Sequence, residues 1–166
     1  MRLYSFVNMY MEGIHAGIQT AHVASEISSK YRKLHLDERL MSSFAKTGPL
    51  GMKLAMFHEW ETKYKVIQVY NGGYSFSLRH RYDVLHKYAE KFGLPLAKFH
   101  ESKEALDGAL TAVGIIVPER YYNFGLIKKS TQYPIVVTNG LGDAPHAVKT
   151  DEESFHDFIH SCKHAR

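Results

Sequence analysis

What most restricts the fold of this chain is the order in which its apolar patterns change period. Leu3 to Met11 is dominated by aromatic and branched residues with no proline among them, which predicts a first strand, and Gly13 ends it. From Ile14 to about Tyr31 the period becomes helical. Ile14, Ile18, Ala21 and Ser25 share a face, and Ala16, Val23, Ala24 and Ile27 widen it into a small-residue surface that must lie close against another element. A second helix is expected from about Asp37 to Ala45, where the Thr47-Gly48-Pro49 cluster breaks it before Met52 to Trp60 resumes helical or irregular structure. Lys65 to Tyr70 has strand composition, and Asn71-Gly72-Gly73 stops it with residues that tolerate positive φ. A third helix carries Leu78, Tyr82, Leu85, Tyr88/Ala89 and Phe92 at helical spacing, with Gly93 as its stop and Pro95 beyond. Leu96 to His100 and Leu110 to Val117 then read as strands. The polar connection Glu101 to Gly108 is too short for a parallel crossover, so they should pair antiparallel and bring the Glu101 loop to one end of the sheet.

The last third is less regular. Tyr133 to Thr138 is a candidate edge strand, since Pro134 near its start cannot donate to a central ladder, and Asn139-Gly140 would turn it. Thr150 with Glu153 three residues on forms a capping-box signature for a helix through Ser161, with Phe155, Phe158 and Ile159 facing inward. There is no internal repeat and no low-complexity tract.

Composition narrows the class. With 166 residues, 45% hydrophobic and 23% charged, the chain can build one real core but has no room for a second full domain. Its apolar runs, such as Val113 to Pro118, fall far short of the roughly 20 residues a membrane-spanning helix needs, so no membrane partner is expected. The opening residues lack the apolar region and cleavage site of a secretion signal, and the single cysteine, Cys162, allows no intrachain disulfide. Both features fit a reducing, cytoplasmic setting. The formal charge of +4, with 11 histidines besides, leans toward an anionic partner. The plain alternative is that Lys63/Lys65, Arg79/Arg81 and Lys128/Lys129 are solvated surface.

One pattern could carry chemistry. His15, Gln19, His22 and Glu26 recur at intervals of four, three and four, so they lie on one side of the first helix and should face a groove rather than the core. Such a row can orient an imidazole and hold hydrogen-bond partners; equally, any solvent-facing helix side is polar. Other sites are set aside. No phosphate-binding glycine-lysine loop is present, and His58-Glu59 lacks the second histidine of a zinc-protease helix. Gly13 and Gly17 do not make a dinucleotide turn, no histidine begins a His-x-Thr pair, and Cys162 reads as a surface thiol. Neither a metal nor a cofactor is expected.

The stripe and the element order together resemble the type II peptidyl-tRNA hydrolases, whose first helix carries Met-x-x-Gly-Lys-x-x-x-Gln-x-x-His-Ala after a leading strand. Met11, Gln19 and His22 sit in that frame, with Ala24 one place later than the family's alanine. Trp60 with Lys65 to Val69 is similar to the family's Trp-x(n)-Lys-Val-Val-Val segment. Tyr88 to Pro95 is similar to its helix ending in Gly-Leu-Pro, and Thr111 to Ile115 to its Thr-Val-Leu-Gly-Ile strand. The resemblance covers roughly Leu3 to Glu119. It departs at reactive positions: His15 stands where the family has lysine, and the Asp-Ala-Gly-x-Thr loop is replaced by His100 to Glu104, with Glu101 as the stand-in for the aspartate and no counterpart for the loop threonine.

The resemblance implies a three-layer α/β/α fold with a mixed, mainly parallel sheet of about four strands, which agrees with the element order. It divides the chain into a hydrolase-like domain, residues 1–120, and an extension, residues 121–166, packed on the same domain. It implies hydrolysis of the ester joining a peptide, or a related acyl group, to the terminal ribose of tRNA. Glu101 or His22 would activate water, and Gln19, Thr111 and His15 would stabilise charge near the ester and phosphates. Lys65, Arg79 and Arg81 would contact the tRNA backbone. A homodimer is a further candidate state. The rival readings are a non-catalytic RNA-, nucleotide- or protein-binding module, or a different hydrolase, on the same scaffold.

Overall fold

A computed structural model describes residues 1–38, 48–123 and 149–162. Along them run β1 (Arg2–Val7), α1 (Ile14–Glu38), α2 (Pro49–Glu59) continuing into a π-helical turn (Trp60–Tyr64), β2 (Ile67–Asn71), α3 (Ser75–Phe92), β3 (Leu96–His100), α4 (Lys103–Leu106), β4 (Leu110–Val117), α5 (Glu119–Tyr122) and α6 (Asp151–His160). The expected strand at Tyr133 to Thr138, the Asn139-Gly140 turn, Lys128/Lys129 and the later part of the expected second helix lie outside the described residues. The chain divides into two compact units, one built on Met1–Pro118 and one on Glu119–Ser161.

The first unit is an α/β sandwich on a four-stranded mixed sheet of order β2-β1-β4-β3. β1 pairs with β2 in parallel, Leu3 opposite Ile67 and Val7 opposite Asn71. β4 runs antiparallel to both β1 and β3. Three strands therefore point the same way, while parallel hydrogen bonding is confined to the β1–β2 pair, whose crossover uses the long α1–α2 connection. The β3–β4 hairpin pairs antiparallel as its short connection requires. β1 and β4 are central, which accounts for their runs of buried residues: all eight of β4 are inside.

The alternation of the strands sorts the core into two layers. Leu3, Val7, Ala97, Ala112 and Ile116 face α1 and α2, where Val23, Ile27, Tyr31, Leu54 and Phe57 close over them with Trp60. Gly114 lets α1 come this close, since a Cβ there would stand 3.2 Å from both Leu3 and Val23. The intervening residues face α3: the Arg81 guanidinium lies 5.3 Å from the Phe6 ring, and Lys98 lies over Tyr82. Burying side chains of this size contributes about 1.5–3 kcal/mol each before the entropy of ordering is counted.

Local signals place most boundaries, and the departures have local causes. Gly93, at φ 64°, ends α3 where the sequence places a stop. Pro49 occupies the first turn of α2, where its missing N–H is harmless. β1 ends at Val7 rather than Met11, because the Asn8 side chain accepts from the Tyr10 amide and donates to Ser75, turning the chain. α1 continues past Tyr31 to Glu38, taking in Asp37 from the expected second helix; no glycine or proline interrupts that stretch. In the second unit the Thr150–Glu153 capping box forms in full and α6 buries Phe155 and Ile159.

Candidate functional site

Gln19 sits on the inner side of α1 with only 5% of its surface exposed, and it needs partners for both ends of its amide. Its Nε2 donates to Glu101 Oε1 at 2.6 Å, and its Oε1 accepts from Thr111 Oγ1 at 2.7 Å. The chemistry fixes this orientation: an ionised carboxylate can only accept, so the nitrogen faces Glu101 and the hydroxyl must donate to the oxygen. Residues separated by 82 and 92 positions thus form one continuous chain of hydrogen bonds. Among the described residues, the second oxygen of Glu101 has no hydrogen-bond partner.

Thr111 reaches Gln19 because of an irregularity in β4. Phe99 pairs with Ala112, but the next residue, His100, pairs with Leu110, so Thr111 is an extra residue in its strand. A bulge breaks the strict alternation of a strand and re-aims one side chain. Here Ala112 packs in the α1-facing core while its neighbour Thr111 also bonds to α1. Glu101 is held from the other side of the hairpin. Its amide donates to the Ala109 carbonyl at 3.0 Å, and the segment after it is the short helix α4, capped by Ser102, rather than an open polar loop.

The stripe on α1 is therefore split. Gln19 turns inward, whereas His15, His22 and Glu26 are exposed. His22 is one turn beyond Gln19 and stacks flat on Phe99, ring centres 4.4 Å apart and planes within 9°. Phe99 precedes Glu101 by two residues, and among the described residues the imidazole makes no hydrogen bond to the Glu101 carboxylate. Beneath them a hydroxyl pair, Ser5 and Thr20, bonds at 2.9 Å in the buried layer. Phe99, Ser5 and Thr20 are not singled out by the sequence. The alternation of Ala97 and Phe99 places the ring on the α1 face, but only the fold tells which helical turn meets it.

The basic residues are dispersed. Lys65 follows the π-helical turn at the start of β2, the end of the sheet opposite Glu101, as the β1–β2 and β1–β4 registers require. Arg79 is exposed on α3. Arg81, expected at the surface with it, instead lays its guanidinium over Phe6 and donates to Cys162 Sγ at 2.9 Å. A long cationic stem can cover apolar surface in this way, which charge counting does not see.

Electrostatic perturbations are resolved at other groups. The Lys53 ammonium, hydrogen-bonded to Glu90 at 2.6 Å, holds that carboxyl below its usual range. Burial lowers the Lys30 ammonium and raises the Tyr31 phenol. A surface depression lined by Tyr82, Asp83, His86 and Lys87 belongs to α3 and shares no residue with the Gln19 chain. Among the described residues no three His, Cys, Asp or Glu side chains gather to hold a metal ion, and no helix is long and apolar enough to cross a membrane.

No family model, no curated protein and no solved structure matches the chain.

Proposed function

We propose that the chain hydrolyses the ester that joins a peptide, or a related acyl group, to the terminal ribose of tRNA, as its resemblance to the type II peptidyl-tRNA hydrolases implies. The observation that carries this reading is the Thr111–Gln19–Glu101 chain of hydrogen bonds. It ties two residues that the family frame selects, Thr111 and Gln19, to the Glu101 carboxylate, which has one fixed oxygen and one without a partner among the described residues. Positioning of that kind suits a general base.

In this mechanism the open Glu101 oxygen takes a proton from water as the water oxygen attacks the ester carbonyl. The proton then passes to the 3′ oxygen of the ribose as the acyl–oxygen bond breaks. Gln19 keeps the carboxylate in place and is itself kept by Thr111. His22, held flat on Phe99, and His15 are the candidate N–H donors to the developing oxyanion and the nearby phosphate. Arg79 is the phosphate-contacting cation of the three that charge suggests; Lys65 and Arg81 stand apart from the carboxylate.

The testing experiment is release of free tRNA from N-acetylated aminoacyl-tRNA by the purified protein. Hydrolysis above the spontaneous rate is the expected result. Salt-sensitive binding of the RNA with the ester intact would instead assign the chain to a binding module on the same fold.

A further inference from the structure

The loops that follow β1 and β2 are joined into one rigid edge. Gly72 N donates to Val7 O at 2.6 Å and Met9 N to Gly73 O at 3.0 Å. Asn8, 5% exposed, donates to Ser75 Oγ and accepts from Tyr10 N, while Asn71 accepts from Gly73 N. The closeness of the two chains demands glycine, because a Cβ on Gly72 would stand 2.8 Å from the Val7 carbonyl oxygen. On this edge three aromatic side chains point into solvent: Tyr10 is 76% exposed, Tyr74 52% and Phe76 84%. The Tyr10 and Tyr74 rings lie 5.4 Å apart, tilted by 60°.

Rings left in water contribute little to folding, and a fixed frame beneath them lowers the entropy lost when something stacks on them. Their surroundings select the partner. Arg79 and His80 follow Phe76 by three and four residues on α3, hence on its side of the helix, and both are exposed. The first turns of α1 and α3 contain no acidic residue, and His15 is exposed in the first of them. Glu12 is the acidic residue within this stretch of loop. Flat apolar faces beside cations fit unpaired bases joined by phosphates. The edge also lies at the end of the sheet that holds Glu101, since Val7 pairs with Asn71 and Ala112 and His100 with Leu110.

We propose that Tyr10, Tyr74 and Phe76 are a stacking platform for the unpaired bases at the 3′ end of an RNA. The identity of that RNA as acylated tRNA rests on the hydrolysis reading above; the stacking itself does not. A base slides onto a ring face, the Arg79 guanidinium meets a flanking phosphate, and the terminal ribose is directed toward the carboxylate end of the sheet.

Fluorescence anisotropy of a labelled eight-nucleotide single-stranded RNA ending in cytidine, cytidine and adenosine tests this against the same RNA in a blunt duplex. The single strand should bind tighter. Tyr10→Ala, Tyr74→Ala and Phe76→Ala should each weaken it about tenfold, while Tyr74→Phe retains affinity. Thermal melts should stay unchanged, because the rings are exposed. Equal affinity of wild type and alanine variants, or no binding by wild type, overturns the platform. So does a shift in sedimentation with RNA affinity unaltered, which would make the patch a protein contact. Ester hydrolysis whose KM ignores these substitutions would overturn the platform and leave the hydrolase reading standing. Platform-dependent binding with no ester cleavage would do the reverse.

Discussion

Thr111→Val isolates the role of one hydroxyl. The substitution keeps the branch and the volume at a residue 1% exposed, and replaces the Oγ1 donor by a methyl group. Gln19 Oε1, now bonded at 2.7 Å, is left buried without its partner. An unsatisfied buried acceptor costs ~1–3 kcal/mol, and the added methyl recovers up to about 0.8 kcal/mol. With the full methyl gain the expected net loss is therefore about 0.2–2 kcal/mol, a fall in Tm of up to a few degrees for a domain of this size. Chemistry should suffer as well. An amide released at one end no longer fixes Glu101, and misplacement of a catalytic group by about 1 Å costs up to ~10²-fold in rate. Urea denaturation followed by circular dichroism reads the first effect and tRNA release the second. Thr111→Ser, which keeps the donor, should hold its turnover near wild type. A double-mutant cycle with Gln19→Met should show a coupling of ~0.5–3 kcal/mol. If Thr111→Val is as stable and as active as wild type, the hydroxyl serves neither the amide nor the carboxylate, and the site as drawn is wrong.

Three further outcomes are expected. Glu101→Gln should lower turnover by ~10²–10⁴-fold while leaving RNA affinity nearly intact, since the amide keeps the shape but cannot take the proton; equal turnover would remove Glu101 from the reaction. Tyr31 has its phenol raised above 10.0 chiefly by burial, so the folded state holds that proton longer than the unfolded chain does. The stabilisation it brings is complete below pH ~10 and is lost as pH climbs through the folded-state value. Tyr31→Phe should thus flatten the alkaline decline seen in pH-dependent denaturation, yet cost ~1–3 kcal/mol at neutral pH, because the buried Leu96 N–H then loses its 3.1 Å acceptor. Gly72→Ala should destabilise by about 1–3 kcal/mol, as its Cβ must displace the Val7 carbonyl; a melt identical to wild type would show that the two loops are not held so closely.

The parts of the fold that depend on neighbours along the chain are legible in the sequence itself. Gly93 after Phe92, the capping box at Thr150 and the short connection of the β3–β4 hairpin each work within a few residues. What the sequence hides depends on pairing across the fold. Spacing puts His15, Gln19, His22 and Glu26 on one side of a helix, but of the four only Gln19 is buried, at the turn where the Thr111 hydroxyl meets it. Thr111 is picked out by a resemblance, and its inward turn follows from a register step that no single strand encodes. Arg81 reads as surface because a charge count knows nothing of Phe6.

That register step also says how readily such a scaffold could change its trade. The pairing of β3 with β4 is regular from Phe99 and Ala112 inward, so the inner pairs do not depend on the extra residue outside them. Removing one residue on the outer side of Ala112 would erase the kink and present an apolar neighbour to Gln19 in place of a hydroxyl, with every inner pair untouched. Gain or loss of this hydrogen-bonded carboxylate is then a matter of a single codon inserted or deleted, and the cost falls at the outer end of the sheet, where the Asn8 amide donates to the Thr111 carbonyl.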